Sequence, residues 1–264
     1  MELRLKLKGF VIWTSIMIVF ILVFLALFPT YKTMFVDMTL SFDSFPPELL
    51  AALGMTAVDF TKVLEYYAYC HQYVLMAGAV YAFVLGAKIL AVEESEKTIE
   101  FLYAKPVSRS RIYIEKMVAI QTLFFVFTLI QAIITAVFCI LYKEPSNTTT
   151  QVALDITRIY VSYLLIGYLF MGLGMLISSI VRSSSKAGAL ALGIFFILYF
   201  LGMFSNMFES LSFLRYIAPL EYLRPRDMIN GGRVDFVFFF ISASLVGIFY
   251  SFGYLLYNNK DLKI

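Results

Sequence analysis

The sequence predicts an all-α integral membrane protein with six transmembrane helices. Of its 264 residues, 61% are hydrophobic and 15% are charged, and the mean hydropathy is +0.84. A soluble domain of ordinary composition has about 25% charged residues. Six apolar blocks are long enough to cross about 30 Å of hydrocarbon at about 1.5 Å per residue. The roughly ten-residue alternating segments of a membrane β-barrel are absent.

The apolar blocks lie at 9–28, 66–92, 112–142, 156–181, 187–207 and 234–257. Backbone polar groups in lipid must be satisfied within their own segment, so each block is predicted to be a helix. The first block is interpreted as a retained span rather than a secretory signal, because it is too long and no small-residue cleavage site follows it. Without an internal repeat or a low-complexity linker, residues 1–264 are expected to form a single transmembrane domain.

The distribution of basic residues predicts that both termini lie in the cytoplasm. Of the 21 basic residues, 13 then fall on the cytoplasmic side: Arg4, Lys6, Lys8, Lys88, Lys97, Lys105, Arg109, Arg111, Lys116, Arg182, Lys186, Lys260 and Lys263. The other eight fall outside: Lys32, Lys62, Lys143, Arg158, Arg215, Arg224, Arg226 and Arg233. We expect a multi-pass protein in the cell membrane of a prokaryote.

Two outer connections are longer than a turn requires. Residues 45–54 place proline at a predicted helix start and Gly54 just past its end, which predicts a short helix on the outer membrane surface. Residues 208–233 mix apolar and charged side chains. This mixture predicts an interfacial or re-entrant segment.

The sequence offers no catalytic or metal-binding set. Cys70, Cys139 and the single histidine, His71, have no spacing typical of zinc or iron ligands, and no disulfide framework is expected. His71 lies among tyrosines at the predicted outer end of the second span. An aromatic-belt position at the membrane interface is the preferred interpretation over catalysis.

Residues 91–116 form the most informative connection, on the predicted cytoplasmic side. Glu93 and Lys97 stand four apart in the favourable order, and Pro106 disfavours helix at the residue before it. A short amphipathic helix is therefore predicted, after which Ser108 or Ser110 caps the next helix. Such a helix is suited to bind a soluble partner and to be displaced when that partner moves. The alternative is a solvated loop whose charges mark the membrane edge.

This connection resembles the signature of ABC-2-type transporter permeases. Acidic residues precede Lys-Thr-Ile-Glu-Phe-Leu102, and Lys-Pro-Val-Ser-Arg-Ser-Arg111 and Lys116 follow. The usual family wording is Glu, Gly-Thr-Leu-Glu-Leu-Leu and Pro-Val-Ser-Arg. The similarity extends to Leu-Lys-Gly-Phe-Val-Ile-Trp13, to Phe-Pro-Pro-Glu-Leu-Leu-Ala-Ala-Leu-Gly54 and to the six-span layout.

The resemblance implies a permease subunit that pairs with a second copy or a related permease and with two cytoplasmic ATPase subunits. It implies that the helix after the second span is a coupling helix that docks on the ATPase. The residues in that place are Glu93, Glu94, Glu96, Lys97, Thr98, Ile99, Glu100, Phe101 and Leu102. No glycine in the chain is followed by lysine, so a phosphate-binding loop is absent and ATP with magnesium is expected in the partner ATPase only.

Charged residues near the span ends are candidate functional residues. Lys88 is expected to extend to the interface, or else to line an inner vestibule on the translocation path. Asp155 and Arg158 are three apart, which favours a structural ion pair over an outer gate. Glu115 is placed to pair with Arg111.

Small and aromatic residues mark spans four and five. Close helix packing is predicted at Gly167, Gly172, Gly174, Ala187, Gly188, Ala189, Ala191 and Gly193. The aromatic residues Phe195, Phe196, Tyr199, Phe200 and Phe204 are expected to face lipid or the core. The alternative is a hydrophobic substrate surface that includes Tyr199 and Phe204.

The expected mechanism is alternating access at a dimer interface, driven by ATP binding in the partner subunits and used for export. The expected substrate is an amphipathic peptide or antimicrobial. Alternatives are export of a lipid-like molecule, a small-molecule drug or an ion, and a non-transporting membrane scaffold. An intramembrane enzyme would need paired mid-membrane polar residues, and an ion-coupled carrier would need buried carboxylates and a repeat. Neither pattern occurs, and nucleic acid is not expected as a partner.

Overall fold

The computed structural model describes residues 2–42, 46–55, 58–96, 108–229 and 235–260. Within these ranges the α-helices are α1 (Glu2–Phe42), α2 (Pro47–Ala52), α3 (Val63–Ile89), α4 (Ala91–Ser95), α5 (Arg109–Leu141), α6 (Thr149–Ile180), α7 (Ser184–Met207) and α8 (Phe236–Asn259). Three 3₁₀ helices follow α7, at Glu209–Tyr216, Pro219–Glu221 and Pro225–Met228. The described ranges contain no strand, so the predicted all-α class is confirmed.

Six helices are long and apolar enough to cross a membrane: α1, α3, α5, α6, α7 and α8. Each overlaps one predicted apolar block, which confirms the six-span prediction. α6 is the most buried of the six helices, because 67% of the residues in its apolar 18-residue stretch are buried. The corresponding fraction is 22% for α1 and for α8. The exposed faces of α1 and α8 are thus left for lipid or for a partner subunit.

Two helices are longer than predicted. α1 does not end before Pro29 but continues to Phe42, since proline is tolerated within membrane helices. α6 begins at Thr149 rather than near 156. The backbone N–H of Gln151 donates to Thr148 Oγ1 at 3.2 Å, and that of Thr148 donates to Gln151 Oε1 at 3.1 Å. This capping box starts the helix two turns before its apolar part.

The short helix expected within 45–54 is present as α2. Pro47 occupies its first turn, where its missing N–H costs nothing. Gly54 follows the helix with φ of +69°, a conformation that favours glycine. The later connection, predicted to be interfacial or re-entrant, folds into the three 3₁₀ helices. Tyr222, Leu223 and Met228 of that connection are buried.

The chain forms two compact units. Unit 1 contains residues 1–76, 126–163 and 198–235, and unit 2 contains 77–125, 164–197 and 236–264. In unit 1, α1 buries a single stripe of apolar side chains at helical spacing: Met17, Ile21, Leu25 and Phe28. The Tyr66 hydroxyl of α3 donates to the Phe24 carbonyl of α1 at 2.7 Å.

In unit 2, glycines bring α3 and α6 into backbone contact. A Cβ atom added at Gly174 would lie 2.7 Å from the backbone nitrogen of Ala87, and one at Gly86 would meet the carbonyl group of Met171. The predicted packing role of Gly174 is therefore confirmed, as is that of Gly167, whose added Cβ would meet the Phe124 ring. Gly193 differs, because nothing lies within 4 Å of an added Cβ.

Replacing Gly174 with alanine should destabilise the protein relative to Gly193→Ala. Both variants gain the same helix propensity, roughly 1 kcal/mol, but only the first inserts a methyl group against backbone. Overpacking of this kind costs about 1–3 kcal/mol. Thermal unfolding can be followed with a thiol-reactive dye, since Cys70 and Cys139 are both buried. Equal melting temperatures for the two variants would contradict the close contact.

Candidate functional site

The start of α4 is fixed to α6 by a buried hydroxyl. Ser178 of α6 is fully buried, and its Oγ accepts hydrogen bonds from the backbone N–H groups of Leu90 and Ala91 at 2.9 and 3.0 Å. These are donors that the first turn of a helix leaves without an intrahelical partner. α4 therefore leaves α3 in a direction set by α6.

Glu93 links α4 to α5 by an ion pair. Its side chain is 6% exposed and forms an ion pair with Lys116, whose side chain is 13% exposed. Lys116 Nζ also donates to the Ile89 carbonyl at 2.9 Å. Separating two buried charges of opposite sign is costly, because each would lose an opposite charge in a place that water does not reach.

Glu94 links α4 by ion pairs to the end of α8 and to the turn between α6 and α7. It forms an ion pair with Lys260, with side-chain exposures of 10% and 9%. Arg182 Nε lies 3.9 Å from the other carboxylate oxygen. Glu94 therefore lies between two basic groups that come from separate parts of the sequence.

The predicted ATPase-coupling residues thus separate into two groups. Glu93 and Glu94 are occupied inside the chain, whereas Glu96 is exposed. Lys97, Thr98, Ile99, Glu100, Phe101 and Leu102 lie outside the described residues, and so does the expected Glu93–Lys97 pair. Lys116, Arg182 and Lys260 were not singled out as site residues from sequence, because nothing local indicates which distant acids they meet.

The predicted start of the next helix is confirmed at Ser108. Its Oγ accepts a hydrogen bond from the Arg111 backbone N–H at 3.3 Å, one turn into α5, which begins at Arg109. Ser110, the other candidate cap, instead accepts a hydrogen bond from the Tyr254 hydroxyl at 3.0 Å. Arg111 and Glu115 form the expected ion pair at 2.7 Å.

Lys88 is exposed near the end of α3, and its aliphatic stem lies against Gly188 of α7. A Cβ atom added at Gly188 would collide with Lys88 Cε. Gly188 therefore leaves room for the lysine stem, a use that its sequence position did not indicate. A translocation role for Lys88 stays a prediction.

Asp155 and Arg158 form the ion pair expected from their spacing. Arg158 Nη1 donates to Asp155 Oδ1 at 2.8 Å, with the aspartate side chain 7% exposed. The pair lies within α6. A gating role for it stays a prediction.

The interfacial position predicted for His71 is wrong. The residue is fully buried in unit 1, with Nδ1 3.0 Å from the Tyr67 hydroxyl oxygen. That oxygen lies 2.7 Å from the hydroxyl oxygen of Tyr160 and 2.9 Å from Oγ1 of Thr135. His71 follows Tyr67 by one helical turn, so both lie on the inward face of α3. Composition alone could not identify that face.

Unit 1 contains a cavity of about 380 Å³. It is bounded by α2, α3, the end of α7 and the connection after α7. Tyr199 lines it, whereas Phe204 does not appear among the lining residues and is 40% exposed. The two aromatic residues predicted to share one surface of α7 are therefore separated. Apolar walls come from Leu75, Met76, Met203 and Leu220.

Charged groups of the cavity come from the connection after α7. Glu221 Oε2 accepts a hydrogen bond from Asn206 Nδ2 at 3.0 Å and lies 3.7 Å from Arg224 Nη1. Burial raises the pKa of Glu221 above its usual value, against the opposing hydrogen bond from Asn206 and the charge of Arg224. Burial lowers the pKa of Arg226, which donates to the Gly54 carbonyl at 2.8 Å.

The sequence did not predict this cavity. The only signal was the spacing of Glu221 and Arg224, three residues apart. Such a spacing is common in solvated turns, so it did not distinguish a lined cavity from an exposed loop.

A family model described as ABC-2 family transporter protein matches residues 1–262. The chain therefore belongs to this family. It is the membrane permease subunit of an ABC transporter, and the family associates with an ABC ATPase partner. A comparison with curated proteins finds no match.

Neutralising Glu93 should destabilise the fold, whereas neutralising Glu96 should not. In Glu93→Gln the Lys116 ammonium stays buried without its carboxylate, and breaking a buried pair in this way costs 3–5 kcal/mol. We expect about 3 kcal/mol, the lower end of that range, because Lys116 keeps the Ile89 carbonyl. Glu96→Gln is the matched control, since its side chain is exposed. Thermal unfolding in detergent measures both, and equal stability of the two variants would contradict a structural role for the Glu93–Lys116 pair.

Proposed function

We propose that this chain is the permease of an ATP-driven exporter in which α4 and the residues after it form the coupling segment. Two copies, or one copy and a related permease, would pair in the membrane with two ATPase subunits that bind ATP and magnesium. Alternating access at the permease interface would then move an amphipathic substrate, such as a peptide or an antimicrobial, out of the cell.

The observation that carries the proposal is the attachment of α4 to three other helices. Ser178 belongs to α6, Lys116 to α5, and Lys260 follows α8 directly. A helix that was attached only through its chain connections could move without moving the spanning helices. α4 is held by buried polar contacts, so a displacement of α4 would either move its partners or separate buried charges, at a cost of several kcal/mol.

Within this segment we assign different tasks to different residues. Glu93 and Glu94 would transmit movement, because both carboxylates are occupied within the chain. Glu96 and the residues that follow it, including Glu100, would contact the ATPase, because Glu96 is exposed and stands at the end of α4. Docking and transmission should therefore be separable by mutation.

Docking is tested by co-expressing this chain with the ABC ATPase encoded nearest to its own gene and purifying by a tag on the permease. We expect wild type to retain the ATPase and the double variant Glu96→Arg, Glu100→Arg to lose at least tenfold of it. Charge reversal on a contact surface replaces attraction by repulsion. The control Glu209→Arg reverses an exposed glutamate in the connection after α7 and should retain the ATPase.

Loss of the ATPase by both the double variant and the Glu209→Arg control would indicate general damage. Retention by the double variant would refute docking at this segment. If no form retains the ATPase, the proposed coupling fails as a whole.

A further inference from the structure

The cavity in unit 1 has the chemistry of a ligand site. Its volume of about 380 Å³ is in the range of small-molecule pockets, which combine mostly apolar walls with a few polar groups. Leu75, Met76, Met203 and Leu220 supply the apolar part, and Tyr73 and Tyr199 add aromatic rings. Methionine side chains adapt to ligands of different shape.

Glu221 is an incompletely hydrogen-bonded charge in that cavity. Oε2 receives the Asn206 hydrogen bond, but Arg224 Nη1 at 3.7 Å is beyond hydrogen-bonding distance. Among the described residues, Oε1 receives no hydrogen bond. The Glu221 side chain is only 16% exposed. A carboxylate removed from water without full pairing is costly, and burial accordingly raises its pKa.

Glu221 lines the cavity and packs against α7 at Gly202. Tyr199, Met203 and Asn206 line the cavity, and Gly202 lies three residues after Tyr199 and four before Asn206, on the same side of α7. A Cβ atom added at Gly202 would lie 3.0 Å from Glu221 Cγ and 3.1 Å from Oε1. The absence of a side chain at Gly202 therefore leaves room for the Glu221 carboxylate beside α7.

The basic groups of the cavity are already engaged. Arg224 Nε donates to Asp227 Oδ2 at 3.0 Å, and Arg226 donates to the Gly54 carbonyl at 2.8 Å. An anionic ligand would have to compete with these partners. A cationic ligand would instead complete the pairing of Glu221.

We infer that this cavity binds amphipathic molecules that carry an ammonium group, with the ammonium at the Glu221 carboxylate and the apolar part between the methionines and Tyr199. The tyrosine rings offer additional cation–π attraction, worth roughly 0.5–2 kcal/mol. The assignment rests on the proposed function, because it names the class of molecule that the exporter would handle.

The test uses the full chain with its co-purified ATPase, in nanodiscs of phosphatidylcholine and without ATP. The probe is dansylcadaverine, a fluorescent amphipathic primary amine. Its N-acetylated form is the matched neutral probe. Binding is measured by fluorescence anisotropy, with the signal of empty nanodiscs subtracted.

We expect wild type to bind the amine at least tenfold more tightly than the acetylated probe. Glu221→Gln should weaken amine binding about tenfold and leave the acetylated probe unaffected. Its amide keeps the shape of the side chain and removes the desolvated charge, so it should fold at least as stably as wild type. Glu209→Gln, an exposed acid in the same connection that does not line the cavity, should bind as wild type does.

A second variant tests the cavity without touching its charges. Met203→Trp places a larger side chain in the cavity wall and should abolish binding of both probes. Equal binding of the two probes by wild type, or unchanged amine binding in both Glu221→Gln and Met203→Trp, would overturn the inference. If the ATPase is retained while the amine fails to bind, only the ligand class is wrong. If the ATPase is not retained, the proposed function fails independently.

Discussion

The pairing of two adjacent glutamates at α4 with lysines from other helices is the constraint on which the proposed mechanism depends. Glu93 meets Lys116 of α5 and Glu94 meets Lys260 after α8, and all four side chains are largely buried. Removing such charges from water costs several kcal/mol per ion, which only close pairing offsets. α4 therefore cannot leave its place without exposing or isolating charges. This makes a five-residue helix, too short to be stable alone, a fixed part of unit 2.

Several other polar groups of the spans are also paired within the chain. In unit 1, Nδ1 of His71 and the hydroxyl groups of Tyr67, Thr135 and Tyr160 form one hydrogen-bonded cluster. In unit 2, Ser179 donates to the Gly253 carbonyl at 2.9 Å. Glycines set the distances between helices where side chains would keep them apart. Glu221 lines the cavity in unit 1, and one of its carboxylate oxygens accepts no hydrogen bond from the described residues. The physical reason for assigning a ligand there is an unused carboxylate oxygen on a residue that lines a cavity large enough for a small molecule.

Apolar length predicted the six spanning helices, because roughly twenty apolar residues in lipid leave the backbone no choice but a helix. Local chemistry also predicted Pro47 in the first turn of α2, the Ser108 cap and the Arg111–Glu115 pair. Pattern could not determine which face of α3 turns inward, and so His71 was misplaced. Nor could it relate Glu94 to Lys260, which is 166 residues away, since such pairs depend on the packing of several helices. The cavity was missed for the same reason, because its walls come from four separated segments.

The most direct test of the account reverses the charge of Glu94, of Lys260 and of both residues together. It measures ATP turnover of the assembled complex for each of the three variants. Glu94→Lys and Lys260→Glu alone should each lose most of the permease-dependent ATPase activity, because like charges then face each other in a largely buried position. The double variant restores opposite charges at these two positions, with Arg182 then beside the introduced lysine, and should turn over ATP faster than either single variant. Wild-type turnover in both single variants, or a double variant no better than either, would contradict transmission through this pair.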